Sequence, residues 1–324
     1  MLTDPHLLVE VVLKAAVVLA AFLVMPLALG QLEHKLMGHM QGRLGPMEAG
    51  PHGLFQLVAD GLKFAQKEDV VPAAADKRVF QLAPAVALIP YLVALAAIPF
   101  SAAWVAADVP LSLLFVLAAT SVGVIGTLMA GWASGNKYSL IGGMRAGAQL
   151  VSYELPLVLA AASVALAAGS LSLTGIVGEW SWWWLVWQAP AAFVFLAATV
   201  AELQRTPFDA PIADAEVVFG PLTEYSGLRF AFFLLAEYAG MVVMALLFTV
   251  LFLGGWRGPW GDIGAVGALW TVLKAAVVAA GILWLRVAWP RVREDQLQRF
   301  AWLVLLPIAL AQLAITGIGV VMLG

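Results

Sequence analysis

Residues 230–253 read FAFFLLAEYAGMVVMALLFTVLFL, and Glu237 is the only charged residue in this run. About 20 apolar residues in a helix cross the roughly 30 Å of hydrocarbon in a lipid bilayer. The run is continuously apolar and does not alternate between apolar and polar residues, which favours a helix over a barrel strand. The stretch therefore predicts a transmembrane helix that carries an ionisable group.

The whole chain has the composition of a membrane protein. Of its 324 residues, 63% are hydrophobic and 11% are charged, and the mean hydropathy is +0.95. Soluble domains have about 45–50% apolar and about 25% charged residues. We therefore predict an all-α integral membrane protein with one polytopic domain over residues 1–324. Its eight predicted spans are residues 7–30, 79–100, 111–133, 150–168, 182–203, 230–253, 263–287 and 300–323.

The basic residues predict the orientation of the chain in the membrane. An even number of spans places both termini on one side and four longer segments on the other side: 31–78, 134–149, 204–229 and 288–299. Fourteen of the seventeen Lys and Arg residues fall in these segments or in the adjoining helix ends. Basic residues concentrate in cytoplasmic loops. We therefore expect a bacterial-type plasma membrane protein whose long segments are cytoplasmic and whose termini lie on the opposite side.

The residue types exclude several kinds of redox site. The chain has no cysteine, which excludes iron–sulfur ligation and a catalytic thiol. All four histidines lie outside the predicted spans, so that no membrane histidine is available as a haem ligand: His6, His34, His39 and His52. We expect no metal, flavin or haem in this chain. The N-terminus has no basic region before its first apolar run, and we expect no cleaved signal peptide.

Three carboxylates lie inside predicted spans, near the ends that adjoin the long segments: Glu154, Glu202 and Glu237. A charge at mid-bilayer costs at least about 2.5–3.5 kcal/mol, so intramembrane acids usually have a function. With Glu33 they predict a series of groups that passes protons. The alternative is that Glu33 and Glu202 reach water or pair with Lys35 and Arg205. Lys274, in the seventh span, is either a proton relay or a partner for a buried carboxylate.

Residues 53–69 have the pattern of an amphipathic helix. Gln56, Asp60, Lys63 and Lys67 fall on one face at 100° per residue, and apolar residues gather on the opposite face. One interpretation is an interfacial anchor that lies on the membrane surface. The other interpretation is a wall of a cavity at that surface.

The segment 201–227, AELQRTPFDAPIADAEVVFGPLTEYSG, carries an acidic loop with apolar and aromatic residues. Phe208 and Tyr225 predict that the loop is buried, and we expect a partner protein to bury it. The loop resembles the one between the fifth and sixth spans of the quinone-site membrane subunit of complex I (NADH-quinone oxidoreductase), a family also called its H or 1 subunit. Further blocks resemble this family in the same order along the chain: 43–68, 131–154 and 286–296.

The resemblance implies a membrane subunit of a proton-translocating NADH-quinone oxidoreductase. The subunit would form part of the quinone-binding chamber, with quinone as the substrate, and link quinone reduction to proton translocation. Its partners would be the hydrophilic-arm quinone-site subunits and the other membrane-arm subunits, with no nucleic acid. The implied proton-path and coupling residues are Glu154, Glu202, Glu237, Glu216 and Glu224. The implied residues of the quinone chamber are Arg43, Asp60, Lys63, Arg205 and Asp209.

The sequence also departs from the family's pattern. Ile212 stands where the family usually has a glutamate, and Asp214 stands where it has a second one. Some members have a carboxylate near the position of Ser121. Three alternatives remain at this point: a homologous membrane subunit of a membrane-bound hydrogenase or formate-oxidising complex, a free-standing proton-coupled transporter, and a structural anchor outside the proton path.

Overall fold

A computed structural model describes residues 5–261 and 264–323, except for the side chains of residues 5, 7, 214, 215 and 323. The described residues form helices joined by loops, and no β-strand occurs among them. The α-helices are α1 Pro5–Met40, α2 Gln56–Gln66, α3 Lys77–Ala97, α4 Ser112–Ala133, α5 Lys137–Ala168, α6 Leu173–Glu179, α7 Trp184–Trp187, α8 Ala189–Glu202, α9 Asp214–Val217, α10 Gly227–Phe252, α11 Gly264–Ala288, α12 Glu294–Phe300 and α13 Leu306–Leu323. Single turns of 3₁₀-helix occupy Pro51–Gly53, Ala210–Ile212 and Gly220–Leu222, and one π-turn, Ala301–Leu305, joins α12 to α13.

The predicted all-α membrane fold is confirmed. Within the described ranges, seven helices are long and apolar enough to cross a bilayer, and α8 is a shorter apolar helix. The central helix is α10, because 61% of its apolar window is buried in protein, against 6% for α1. The apolar side chains of α1 therefore face lipid or a partner, whereas α10 is packed between α3, α11 and α1.

Two helices extend beyond the predicted spans at the end of the bundle that carries the long segments, called here the loop end. Helix α1 continues to Met40, and α5 begins at Lys137 although its apolar run begins near residue 150. Hydropathy locates the lipid-spanning part of a helix, but the backbone hydrogen bonds continue through polar residues. The side chain of Asn136 caps α5 by accepting a hydrogen bond from the backbone N–H of Tyr138 at 2.9 Å. The predicted start of the seventh span, residue 263, lies outside the described residues.

The fifth predicted span is divided into α7 and α8 at Gln188. Pro190 follows the break in the first turn of α8, where its missing N–H costs no hydrogen bond. The side chain of Gln188 is 1% exposed and bonds to α5 and α13. The break is therefore held by side-chain hydrogen bonds to neighbouring helices.

The segment between α8 and α10 folds over the loop end and is held by the chain itself. The Gln149 amide donates to the carbonyl oxygens of Ala201 and Phe208, at 2.6 and 2.7 Å. Tyr225 stacks on Phe80 with ring centroids 4.0 Å apart and donates its hydroxyl hydrogen to the Phe80 carbonyl. The prediction that Phe208 and Tyr225 are buried is confirmed, but the covering groups belong to this chain, because α3 and α5 extend far enough to supply them.

Candidate functional site

Four charged side chains from four separate segments meet beneath the loop end. The Arg205 guanidinium binds Glu33 Oε2 at 2.7 Å and Glu237 Oε1 at 2.8 Å, and Arg286 binds the second oxygen of Glu33. Arg205 and Glu33 are buried, whereas Glu237 and Arg286 are partly exposed. We call Glu33, Arg205, Glu237 and Arg286 the charge cluster. Its two positive and two negative charges balance, which is the condition for burying ions in an apolar bundle.

Local backbone structure aims Arg205 into the bundle. Helix α8 ends at Glu202, and Gln204 then adopts a positive φ of 52°, which reverses the chain direction. The Arg205 N–H donates to the Val200 carbonyl at 3.3 Å, so the turn stays closed against α8. The guanidinium lies 4.9 Å from the centroid of the Tyr238 ring. Its planar fork suits simultaneous pairing with two carboxylates and stacking on an aromatic face.

A cavity of about 60 Å³ adjoins the charge cluster. Glu202 from α8 and Glu237 from α10 both line it, together with Tyr91 and Thr127. The cavity has room for water, and its polar lining groups supply hydrogen-bond partners for it. Ile212, at the position of the lost glutamate, also lines this cavity. Two of the predicted proton-path carboxylates thus line one cavity.

Glu154 extends the series of acids away from the cavity. Its Oε1 atom lies 2.5 Å from the hydroxyl oxygen of Ser121 on α4. Glu154 and Glu202 are close enough to interact electrostatically. Helices α5, α8 and α10 therefore present Glu154, Glu202 and Glu237 in succession, ending at the charge cluster.

The other two predicted coupling residues fasten the loop to α5. The Arg145 guanidinium binds Glu216 at 2.5 Å and Glu294 of α12 at 3.1 Å. Its hydrogen bond and positive charge hold the pKa of Glu216 below its ordinary value. Glu224 accepts a hydrogen bond from the Asn136 side chain at 2.6 Å, at the first turn of α5. Both acids lie in the loop and outside the series that α5, α8 and α10 present.

The predicted quinone-chamber residues occupy two places. Arg205 belongs to the charge cluster. Asp209 lies in the segment between α8 and α10 and binds Arg291 at 3.0 Å. Arg43, Asp60 and Lys63 lie in and before α2, at the surface of the loop end. Their contacts are local: Arg43 binds the Gln41 side chain at 2.9 Å, Asp60 binds Lys63 at 3.5 Å, and Gln56 donates to Asp60 at 3.3 Å.

Helix α2 is amphipathic, but its apolar face points outwards. Leu54, Val58 and Leu62 are 59%, 49% and 62% exposed, whereas Asp60 is partly buried. Leu57 packs against Gly30 of α1, where an added Cβ atom would lie only 2.8 Å from it. The exposed apolar side chains fit an interfacial anchor and the partly buried Asp60 fits a cavity wall, and both interpretations remain predictions.

An apolar cavity of about 170 Å³ lies between α1, α10 and α11. Leu29 and Leu32 line its α1 side, within about one helical turn of Glu33. Alanines supply much of the remaining lining: Ala28, Ala245, Ala275, Ala276 and Ala279. Its apolar lining suits a hydrocarbon chain.

Lys274 caps a helix, a role that the sequence did not indicate. Its ammonium group donates to the carbonyl oxygens of Leu253, Gly255 and Arg257 at 2.8, 2.8 and 2.7 Å. These three bonds use all the hydrogens of the ammonium group. They place its charge at the C-terminus of α10, where a helix dipole favours a cation. Within the described residues, Lys274 therefore bonds to backbone carbonyls and to no carboxylate, and its role as a proton relay stays a prediction.

A second buried polar set lies at the opposite end of the bundle, and sequence reasoning missed it. Ser163 donates to Gln188 Oε1 at 3.0 Å, and Gln188 donates to Thr316 at 3.3 Å. The Gln312 amide donates to the Trp187 carbonyl oxygen at 2.8 Å, where the fifth span breaks. We call Ser163, Gln188, Gln312 and Thr316 the amide cluster. The signal was two glutamines within otherwise apolar runs.

Comparisons with known proteins give the family. The model of the NADH dehydrogenase family matches residues 13–317. A curated relative from Geobacillus kaustophilus is 49% identical, and relatives from Bacillus cereus and Bacillus thuringiensis are 51% identical. Each match covers 88% of this chain and 86% of the relative, and each relative is named as the H subunit of NADH-quinone oxidoreductase. The chain belongs to this family.

The family membership confirms the resemblance drawn from the loop motifs. As a member of the family, the chain is a multi-pass membrane subunit of an NADH-quinone oxidoreductase, an enzyme complex with other subunits. The family model covers both α1, which supplies Glu33, and α11, which supplies Arg286. Arg286 and Tyr238 were absent from the predicted site, because neither residue type stands out at a helix end or beside a glutamate.

Proposed function

We propose that this membrane subunit forms one wall of the quinone chamber and links quinone reduction to proton translocation. The observation that carries the proposal is the charge cluster. The small cavity lined by Glu202 and Glu237 adjoins it, and the apolar cavity begins within about one helical turn of Glu33 along α1. An isoprenoid tail fits an apolar slot, and a polar headgroup fits groups that donate and accept hydrogen bonds. The acids then connect the chamber to the interior of the bundle.

The chemistry explains why charges would be held next to a quinone. Reduction to the quinol takes up two electrons and two protons, so negative charge appears on the headgroup before protons arrive. Charges that lie in a medium of low dielectric respond strongly to such a change. The exposed part of Arg286 would attract the new charge, which weakens its hold on Glu33 and shifts the balance at Arg205 and Glu237.

The residues divide into three roles on this proposal. Arg205 and Asp209 brace the chamber, and Arg43, Asp60 and Lys63 form its rim at the surface of the loop end. Glu154, Glu202 and Glu237 form the proton path. Glu216 and Glu224 act through the loop, which their bonds to Arg145 and Asn136 fasten to α5.

The surroundings follow from the same proposal. The loop end faces the cytoplasm and both termini lie on the opposite side, which the distribution of basic residues supports. The hydrophilic-arm quinone-site subunits cover the loop end and deliver the electrons, and other membrane-arm subunits lie beside the helices. The relatives' names favour this complex over a hydrogenase or formate-oxidising complex.

The test replaces Glu237 by glutamine in the assembled complex, in membrane vesicles that report both quinone reduction and proton uptake. Glutamine keeps the size of the side chain but cannot take up or release a proton. We expect proton translocation to fall at least about tenfold, a loss typical of removing a positioned proton-transfer group. The matched control is Glu10→Gln, because Glu10 is an exposed acid that pairs only with Lys14 of its own helix, at 2.9 Å. Unchanged translocation in Glu237→Gln would refute the proposal.

A further inference from the structure

The hydroxyl group of Ser121 has two acceptors and only one hydrogen to give. Its oxygen lies 2.5 Å from Glu154 Oε1 and 2.9 Å from the carbonyl oxygen of Leu117, one turn earlier on α4. A serine hydroxyl carries one donor hydrogen and two lone pairs. It therefore cannot donate to Glu154 and Leu117 together. The same oxygen positions allow the serine hydrogen to point to either acceptor.

Each arrangement matches one protonation state of Glu154. When Glu154 is ionised, Ser121 donates its hydrogen to the carboxylate in a charge-assisted bond. When Glu154 takes up a proton, the new Oε1–H donates to the Ser121 oxygen, and the serine hydrogen turns to the Leu117 carbonyl. The only proton gained is the one on Glu154, and the serine keeps its own hydrogen throughout. Rotation about the serine Cβ–Oγ bond is the only movement required.

We propose that Ser121 is a positioning residue that keeps Glu154 hydrogen-bonded in both protonation states. The inference rests on the proposed function, in which Glu154 belongs to the proton path. Without such a partner, one of the two states would leave a polar group unbonded in an apolar bundle, which is costly. The hydroxyl therefore brings the two states closer in free energy, as a group that repeatedly gains and loses a proton requires.

Few charged groups face this pair. Glu202 of α8 interacts with Glu154 electrostatically, and α4 contributes only the hydroxyls of Thr120 and Ser121 on this side. Tyr91 of α3 and Glu237 of α10 lie beyond Glu202, on the shared cavity. Glu154 therefore has one neighbouring acid and one hydroxyl partner, and the hydroxyl can be removed by mutation with little change in volume.

The experiment measures the pH profile of NADH-driven quinone reduction and of proton uptake by the assembled complex in membrane vesicles. We expect Ser121→Ala to move the midpoint of the profile to higher pH by about one unit, the scale of one charge-assisted hydrogen bond. Ser121→Thr keeps a hydroxyl that can also bond back to the preceding turn, so we expect it to retain the parent profile.

The matched control is Ser134→Ala. Ser134 also lies at α4 and donates to a backbone carbonyl one turn earlier, that of Ala130 at 2.7 Å, and it is buried. We expect this variant to keep the parent profile. A Ser121→Ala profile that superimposes on the parent profile, or that shifts no more than Ser134→Ala, would overturn the inference.

Glu154→Gln separates this inference from the proposed function. We expect Glu154→Gln to lose proton translocation, and we expect the further change Ser121→Ala to produce no additional shift in that background. Normal translocation in Glu154→Gln would remove Glu154 from the path and overturn both statements. Defective translocation in Glu154→Gln with an unshifted Ser121→Ala profile would keep the proposed function and discard the role of Ser121.

Discussion

The charge cluster and the amide cluster solve the problem of burying polar groups in an apolar bundle in opposite ways. The amide cluster is neutral, all four of its side chains are at most 3% exposed, and its amides are bonded across three elements. The charge cluster holds four full charges, two of its members are about a third exposed, and it adjoins a cavity. Neutral, fully buried groups fix a structure, whereas partly open charges can change state.

The two clusters also differ in how they contribute to stability. Hydrogen bonds between neutral side chains in membrane proteins contribute about 0.6 kcal/mol on average. A buried ion pair is close to neutral for stability while it is complete, but removal of one partner leaves an uncompensated charge. The charge cluster therefore makes the bundle sensitive to a single change of charge at the loop end, and the amide cluster does not.

The largest effect is expected for Arg205→Gln, which leaves the carboxylates of Glu33 and Glu237 without their shared partner. Breaking a buried pair costs roughly 3–5 kcal/mol. We expect the complex to assemble poorly, with a lower melting temperature and loss of quinone reduction. Arg293→Gln is the control, because Arg293 is 80% exposed and pairs with Asp295 at the surface. Equal melting temperatures for the two variants would show that the charge cluster is not buried as described.

Lys274→Met tests whether a charged residue outside the charge cluster is structural. The variant loses three hydrogen bonds to the carbonyls after α10, and we expect a stability loss of about 2 kcal/mol, the scale of hydrogen bonds to a charged group. Because the residue only caps a helix, we expect the ratio of protons translocated to quinone reduced to stay at the parent value. Thermal melting and the proton-to-electron ratio measure the two effects. A changed ratio in a stable variant would return Lys274 to the proton path.

Gln312→Leu tests the amide cluster in the same way. It leaves the Trp187 carbonyl without the Gln312 donor, and we expect a loss of about 1 kcal/mol. The pH profile of quinone reduction should stay unchanged, because this cluster holds no titratable group. A shift of that profile would contradict the division between a structural and a functional cluster.

The smallest effect concerns the ion pair between Arg145 and Glu216. The pKa of Glu216 is held below its ordinary value, so the pair is present above that ordinary value and is lost as the pH falls through the lowered pKa. Half of the Glu216 side chain is exposed, and solvent screening keeps the effect small. We expect the protection of the backbone amides of residues 210–224 against hydrogen exchange, relative to an unfolded chain at the same pH, to stay constant from neutral pH to pH values below the ordinary range of a glutamate, and then to fall. Glu216→Gln should remove this step. A loss of protection already near neutral pH would contradict the pairing.

Much of the fold could be predicted from the sequence, because lipid imposes a simple rule on apolar runs. The predicted boundaries of α3 and α4 agree closely with the structure. Two features could not be predicted from hydropathy: the long polar start of α5, which depends on the cap at Asn136, and the break at Gln188, which depends on partners in α5 and α13.

The candidate site was predictable in part for a similar reason. Acids in apolar runs stand out, so Glu154, Glu202 and Glu237 were found, and the structure places them in succession. The sequence left open the pairing of Glu33 with Lys35 and of Glu202 with Arg205, but the structure pairs Arg205 with Glu33 and Glu237. Lys35 instead bonds the Pro46 carbonyl oxygen. The residues that bind these acids or stack beside them, such as Ser121, Tyr238 and Arg286, do not stand out in the sequence. They can be recognised only when the fold brings them close to an acid.

The central claim is that acids beneath the loop end change protonation when a quinone next to them is reduced. The most direct measurement is the redox-induced infrared difference spectrum of the assembled complex, recorded for the parent and for Glu237→Gln and Glu10→Gln. We predict carboxyl bands in the parent spectrum that are lost or altered in Glu237→Gln and retained in Glu10→Gln. Identical carboxyl bands in all three spectra would contradict the claim.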